Sequence, residues 1–160
     1  MAVLVSRTLS LASLLLMGAI AGFFYAYWCS VMIGLDAAGP EAATAAMQGI
    51  NRTVRNPMFA PAFFGPLLVL PMAAVAALLT GGRTAALWLA AAFVIYGAGG
   101  FLLTALVNVP MNNAFASAAP SAWPAYAEAW AFWNGVRTIL SFVALAAVGF
   151  ALLADRPRPA

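Results

Sequence analysis

Four long apolar runs dominate the chain, at residues 8–35, 58–80, 85–109 and 130–153. Each run is longer than the roughly 20 residues that an α-helix needs to cross the hydrocarbon core of a bilayer. Hydrophobic residues make up 66% of the chain and charged residues only 7%, unlike the composition of a soluble domain. We therefore predict an all-α integral membrane protein. Residues 1–160 would form one domain, a four-helix transmembrane bundle, with the lipid bilayer as its main partner.

Basic residues predict how this bundle is oriented. All seven are arginines, and six of them lie outside the apolar runs. The side with the two termini and the middle loop carries Arg7, Arg83, Arg156 and Arg158. The opposite side carries two arginines and three acids, namely Arg52, Arg55, Asp36, Glu41 and Glu128. The positive-inside rule then predicts an inner-membrane protein with both termini in the cytoplasm.

Several functional classes are disfavoured by what the chain lacks. Histidine is absent, and Cys29 is the only cysteine. An internal disulfide is therefore excluded, and the clustered His and Cys ligands of a typical transition-metal site are missing. We expect no metal and no bound cofactor. The net charge of +3 is too small and too dispersed for a nucleic-acid-binding surface.

The two loops on the predicted outer side differ in character. Residues 36–57 favour a helix after Pro40, with apolar side chains at helical spacing: Ala43, Met47, Ile50 and Val54. This periodicity predicts an amphipathic helix at the membrane surface. Residues 112–128 are interpreted as an irregular loop, whose Trp123 and Tyr126 would form an aromatic belt among the lipid headgroups.

Three sets of polar residues fall near the predicted outer side. The first, in "NRTVRNP", places Arg52, Arg55 and Asn56 on one helical face. The second consists of Asn108 and Asn112, with Pro110 between them leaving the carbonyl of Leu106 without its helical donor. The third set is a stripe on the fourth run, made of Trp130, Asn134, Arg137 and Ser141.

Arg137 is the most specific feature of this pattern. It lies about two turns, roughly 10 Å, inside its apolar run, too deep for a guanidinium that faces lipid. We expect it to face the interior and to find its acceptors among Asn108, Asn112, Asn51 and Glu128. Intramembrane amides can also serve only to join helices. Because three polar sets converge at one level, we favour a small site open to the outer side. Tyr25 and Trp28 either line that site or pack in the core.

The motifs "INRTVRNP", "NVPMNN" and "WAFWNGVRT" resemble those of the anthrone oxygenase-like family of small membrane proteins. The matching positions are Asn51, Asn56, Pro57, Asn108, Pro110, Asn112, Trp130, Trp133, Asn134 and Arg137. The resemblance covers nearly the whole chain. It implies four spans and, for some members, the oxidation of an anthrone to an anthraquinone by dioxygen without metal, flavin or haem.

Roles can be assigned if this chain carries out such a reaction. An anthrone that has lost a proton needs hydrogen-bond donors for its oxyanion and flat apolar walls. We assign the donors to Arg137, Asn108, Asn112 and Asn134. Substrate contacts are assigned to Trp130, Trp133, Asn51, Arg52, Asn56, Trp28 and Tyr25. The proton acceptor would be Glu128, Asp36, Glu41, a tyrosinate or water.

Two further hypotheses stay open at this stage. The chain could be a non-enzymatic membrane protein that binds a lipid or a quinone-like molecule, or that assists a partner protein. It could also transport a small solute, although four spans without an inverted repeat would then require a homo-oligomer. The ligand expected for the leading hypothesis is a hydrophobic aromatic molecule.

Overall fold

The computed structural model describes residues 1–154, and all the regular secondary structure in this part of the chain is helical. Seven α-helices follow in order: α1 (Ala2–Ala26), α2 (Met32–Ala37), α3 (Pro40–Thr53), α4 (Phe59–Leu79), α5 (Arg83–Tyr96), α6 (Val109–Phe115) and α7 (Trp123–Ala154). A π-helical segment, Tyr27–Val31, joins α1 to α2, and two more, Gly97–Leu102 and Thr104–Asn108, join α5 to α6.

These helices form four candidate membrane spans: Ala2–Ala37, Phe59–Leu79, Arg83–Phe115 and Pro120–Ala154. The predicted four-helix membrane bundle is therefore confirmed. α1 packs against α4 and α7, and α5 closes the ring by packing against the same two helices. Large side chains such as Met17, Leu70 and Leu89 are fully buried between the spans. The hydroxyl of Tyr96 donates to the backbone carbonyl of Phe63 at 2.6 Å, which links α5 to α4.

The short turn between α4 and α5 lies at the end of the bundle that also holds Arg7 and Arg83. Gly81 has φ of 82°, and the N–H of Gly82 bonds to the carbonyl of Ala77 at 2.8 Å. Only glycine adopts such a φ without strain, so the "TGG" sequence closes the hairpin as expected. Arg156 and Arg158, which also entered the orientation prediction, lie outside the described residues.

At the opposite end, which we call the α3 end, the predicted amphipathic helix is present as α3. Pro40 begins it, and Ala43 and Met47 on its apolar face are fully buried. The amide of Gln48 donates to the backbone carbonyls of Phe115 and Ala118 at 3.0 and 3.2 Å. The helix therefore lies across the turn between α6 and α7 and covers it.

The predicted loop at residues 112–128 is wrong, because most of this segment is helical. Helix α6 continues to Phe115, a 3-10 turn begins at Pro120, and only residues 116–119 are non-helical. Trp123 and Tyr126 do not form a headgroup belt, because they are 2% and 8% exposed beneath α3. The indole N–H of Trp123 donates to Asp36 at 2.7 Å, and the Tyr126 ring stacks on Phe115 with centroids 3.8 Å apart.

The predicted helical face of Arg52, Arg55 and Asn56 is also wrong, because α3 ends at Thr53. A residue that precedes proline is pushed out of the helical region, and Pro57 follows Asn56 directly. The Asn56 amide donates to the carbonyl of Thr53, and its Oδ1 accepts from the N–H groups of Met58 and Phe59 at 2.9 and 3.0 Å. Asn56 therefore caps the start of α4.

Candidate functional site

A cavity of about 760 Å³ lies at the α3 end of the bundle, between all four spans and α3. This volume falls within the roughly 300–1,000 Å³ that is typical of small-molecule sites. Six of the predicted site residues line it: Arg137, Asn108, Asn112, Trp130, Asn51 and Asn56. The structure thus brings residues from all three polar sets to one cavity.

Arg137 forms the polar end of the cavity and is only 4% exposed. Its Nη1 donates to the hydroxyl of Thr104 at 3.0 Å, and its Nη2 donates to Oδ1 of Asn134 at 2.9 Å. The expected acceptors Asn108, Asn112, Asn51 and Glu128 are therefore wrong. Asn134 lies one helical turn before Arg137 on α7, so the nearest acceptor comes from the same helix.

Both polar atoms of the Asn134 side chain form hydrogen bonds. It is fully buried, and its Nδ2 donates to the backbone carbonyl of Phe24 at 2.9 Å. The ring of Phe24 also faces the guanidinium, and Cζ of Arg137 lies 4.5 Å from the ring centroid. The Trp130 ring lies on the guanidinium as well, with its centroid at 5.2 Å. Two aromatic rings thus hold the guanidinium by cation–π contacts.

Among residues 1–154, no Asp or Glu lines this cavity, so the charge of Arg137 meets no carboxylate from that part of the chain. A buried charge is costly to leave without a counter-charge. Two polar groups of the lining residues also have unused hydrogen-bonding capacity. Within residues 1–154, neither the Asn108 amide, which is 1% exposed, nor Nε of Arg137 has a hydrogen-bond partner. This end of the cavity can therefore accommodate an anion that accepts hydrogen bonds.

Asn112 plays a different part from the expected one. Its Oδ1 accepts from the hydroxyl of Tyr126 at 2.9 Å and from the indole N–H of Trp130 at 3.0 Å. Asn51 extends this network by donating to the same Tyr126 hydroxyl at 3.2 Å. The network fixes the Trp130 ring against the cavity, so Asn112 orients an aromatic wall.

Five predicted site residues do not line the cavity. Asn134, which was expected to donate to an oxyanion, is fully buried and instead donates to Phe24 and accepts from Arg137. Arg52 is exposed on α3, and Trp133 packs edge-on against Phe132 at 5.2 Å between ring centroids. Tyr25 and Trp28 line a separate shallow groove on the other side of α7. Arg55, which follows the end of α3, lines the cavity in its place.

Most of the apolar lining was missed by sequence reasoning. Phe59, Phe63, Phe64 and Phe101 form a continuous aromatic wall, in which neighbouring ring centroids lie 5.0 to 6.1 Å apart. Phenylalanines within apolar runs look the same whether they face lipid or a cavity, so only the "FAPAFF" spacing hinted at them. Thr104 was missed because a lone threonine in a span usually bonds its own helix, as Thr104 also does with the carbonyl of Gly100.

The acidic candidates for a proton acceptor all lie elsewhere. Glu41 and Glu128 are exposed, and Asp36 accepts the Trp123 indole hydrogen outside the cavity. Among residues 1–154, no three His, Cys, Asp or Glu side chains group in a way that could hold a metal ion. Tyr27 and Thr104 are the hydroxyl-bearing residues that line the cavity in the described part of the chain.

Comparison with known proteins adds one finding. A family model described as anthrone oxygenase matches residues 57–147, which include α4, α5, α6 and most of α7. Neither the curated proteins nor the solved structures contain a match to this chain. The family match covers more than half of the chain and includes Asn108, Trp130 and Arg137. The chain therefore belongs to the anthrone oxygenase family.

Proposed function

We propose that this protein is an oxygenase that needs no cofactor and oxidises a flat phenolic aromatic of the anthrone type. One observation carries the proposal: a buried guanidinium, without a carboxylate partner among residues 1–154, lines a cavity with aromatic walls. An anthrone becomes a flat oxyanion when it loses a proton, and this cavity offers a positive charge and aromatic faces to such an anion.

The reaction is balanced with dioxygen as the only oxidant. Loss of one proton from the methylene carbon gives an anion whose charge rests largely on the keto oxygen. That carbon transfers electrons to dioxygen and forms a C–O bond, which gives a hydroperoxide after protonation. Loss of water then leaves a second carbonyl. One oxygen atom ends in the quinone and the other in water, and no external reductant is consumed.

In this proposal Arg137 stabilises the anion and the transition state that leads to it. Nε of Arg137 and the Asn108 amide supply hydrogen bonds, because neither has a partner in the described part of the chain. Thr104 and Asn134 hold the guanidinium in place at 3.0 and 2.9 Å. Removal of one such preorganised donor typically lowers kcat by about 100- to 1,000-fold.

The proton is proposed to leave to water. The cavity lining contains no carboxylate, and Glu41 and Glu128 are exposed elsewhere. A carbon acid whose anion is stabilised by a guanidinium requires only a weak base. Water would reach the cavity beside Asn51 and Arg55, which line it near α3.

A second function is supported by the closed hydrogen-bond network at Asn112. The side-chain oxygen of Asn112 already accepts hydrogen bonds from Tyr126 and Trp130. An amide that only stabilises the structure would be satisfied in the same way. The alternative is therefore a membrane protein that binds a lipid or quinone-like molecule in the same cavity without transforming it.

Oxygen uptake separates the two functions. Purified protein in nanodiscs should accelerate oxygen consumption by an anthrone, and ¹⁸O₂ should place one labelled oxygen in the quinone. Arg137→Gln should lower kcat/KM by about 100-fold or more, whereas Arg83→Gln, an exposed arginine at the other end of the bundle, should change it little. Quinone binding without any acceleration across a panel of anthrones and hydroquinones would favour the second function.

The arginine distribution also supports an orientation with both termini in the cytoplasm of an inner-membrane protein. The cavity would then lie in the outer half of the bilayer, beneath α3.

A further inference from the structure

The wall of the cavity is incomplete between the second and third spans. α4 packs closely against α5 near the Gly81 turn. Towards the α3 end, α4 makes almost no close contact with Thr104–Asn108 or with α6. The two spans therefore separate on the way to the α3 end, and the cavity lies behind the gap between them.

Side chains on the two spans define this gap. Phe64 and Phe101 meet across it, with ring centroids 6.1 Å apart, and form its lower edge. One helical turn nearer the α3 end, the corresponding residues of the two spans are Ala60 and Ala105, and both line the cavity. Two methyl groups cannot fill the space that the phenylalanines fill one turn below. We call this gap, bounded by Ala60, Phe64, Phe101 and Ala105, the side window.

The side window faces the region that lipid occupies. Phe64 lines the cavity and is still 49% exposed, and its exposed neighbours Leu68, Leu102 and Leu106 are all apolar. Phe64 lies five residues, or about 7.5 Å, beyond the first residue of α4. The opening is therefore close to the start of the span, where acyl chains begin below the headgroups.

The guanidinium of Arg137 lies next to the side window without bordering it, because it donates to Thr104, the residue before Ala105. Arg137 on α7 is packed between Phe24 and Trp130, whereas the side window is bordered only by alanine and phenylalanine. A ligand that fits both regions has a flat polar head and a hydrocarbon chain. We infer that the cavity takes an aromatic amphiphile from the bilayer, with its phenolic or quinonoid head at Arg137 and its alkyl or prenyl chain leaving through the side window.

For the chemistry of the head this inference rests on the proposed function, but the position of the chain rests on the gap alone. It can be tested by binding at equilibrium. Two probes share one head, an anthraquinone with and without a decyl chain, and are titrated into protein in nanodiscs. The signal is the tryptophan fluorescence quenching that is lost in Trp130→Phe, since Trp130 lines the cavity.

Ala105→Phe fills the side window, and Ala60→Phe fills it independently from the other span. Each should weaken binding of the decyl probe by about tenfold or more, as expected for a filled pocket, and weaken binding of the short probe less than about twofold. Ala90→Phe is the matched control, because Ala90 is an exposed alanine of α5 that does not line the cavity. It should change neither affinity.

Each outcome decides the question. Equal effects on both probes, or no effect on either, would overturn the inference, as would a wild-type protein that binds neither probe. Oxygen uptake with the short anthrone separates this result from the proposed function. Oxygen uptake without an effect specific to the decyl probe would support the oxygenase function and reject the side window. An effect specific to the decyl probe without oxygen uptake would support the side window and reject the oxygenase function.

Discussion

The substitution Asn134→Asp tests whether the function of Arg137 depends on its lack of a counter-charge. The oxygen of Asn134 lies 2.9 Å from Nη2 of Arg137 and is well placed to become half of an ion pair. Two unit charges about 4 Å apart interact by roughly 4 kcal/mol at an effective dielectric constant of 20. A substrate oxyanion would then meet a neutralised guanidinium. Because about 1.4 kcal/mol corresponds to tenfold, we expect kcat/KM to fall by about 100- to 1,000-fold.

Asn134→Leu is the matched control, because it keeps a side chain of similar size and introduces no charge. It removes the hydrogen bonds to Phe24 and Arg137. Hydrogen bonds between membrane helices contribute about 0.6 kcal/mol on average and up to about 1.7, so the loss of two should cost about 1–3 kcal/mol of stability. The guanidinium keeps its charge, and kcat/KM per folded molecule should fall less than about tenfold.

The assay is oxygen uptake with an anthrone, normalised to folded protein by size-exclusion chromatography and thermal unfolding. The two variants should therefore differ in opposite ways. Asn134→Asp should fold but lose most of its activity, while Asn134→Leu should be less stable but remain active. If Asn134→Asp folds and retains the wild-type kcat/KM, the electrostatic role given to Arg137 is incorrect.

Three other predictions concern the fold. Tyr96→Phe removes the 2.6 Å hydrogen bond to α4 and should lower the free energy of unfolding by about 1 kcal/mol, measured by denaturant titration in micelles; an unchanged stability would contradict this. Gly100→Ala would place a methyl group 2.5 Å from the Tyr96 ring and should cost about 1–3 kcal/mol, whereas Gly18→Ala, with nothing within 4 Å, should not destabilise. In a cysteine-free background, a membrane-impermeant maleimide added to intact cells should label Glu41→Cys but not Arg83→Cys, and the reverse pattern would invert the proposed orientation.

The sequence by itself determined the membrane class, the four spans, the surface helix α3 and the inward stripe of α7. These features depend on local properties, because hydropathy and helical period act within one segment. A guanidinium two turns inside an apolar run has no stable position facing lipid, so the burial of Arg137 followed from its place in the chain. The stripe from Trp130 to Ser141 is buried as expected.

Only the tertiary structure decided which partners these residues take. Asn112 was expected to serve Arg137, but it accepts hydrogen bonds from Tyr126 and Trp130, which α3 covers. Trp130 lines the cavity while Trp133, three residues later and about 60° round the helix, does not, because its ring packs against Phe132 instead. A periodic pattern says that one face is buried, but it does not say which neighbour fills each position.

The same limit applies to the side window and to the aromatic wall. Phe64 and Phe101 come from different spans and meet only because α4 and the third span converge at that level. Nothing local distinguishes a phenylalanine that faces lipid from one that faces a cavity, since both environments are apolar. The sequence determined which segments enter the membrane, and the packing between these segments decided where the cavity opens towards the bilayer.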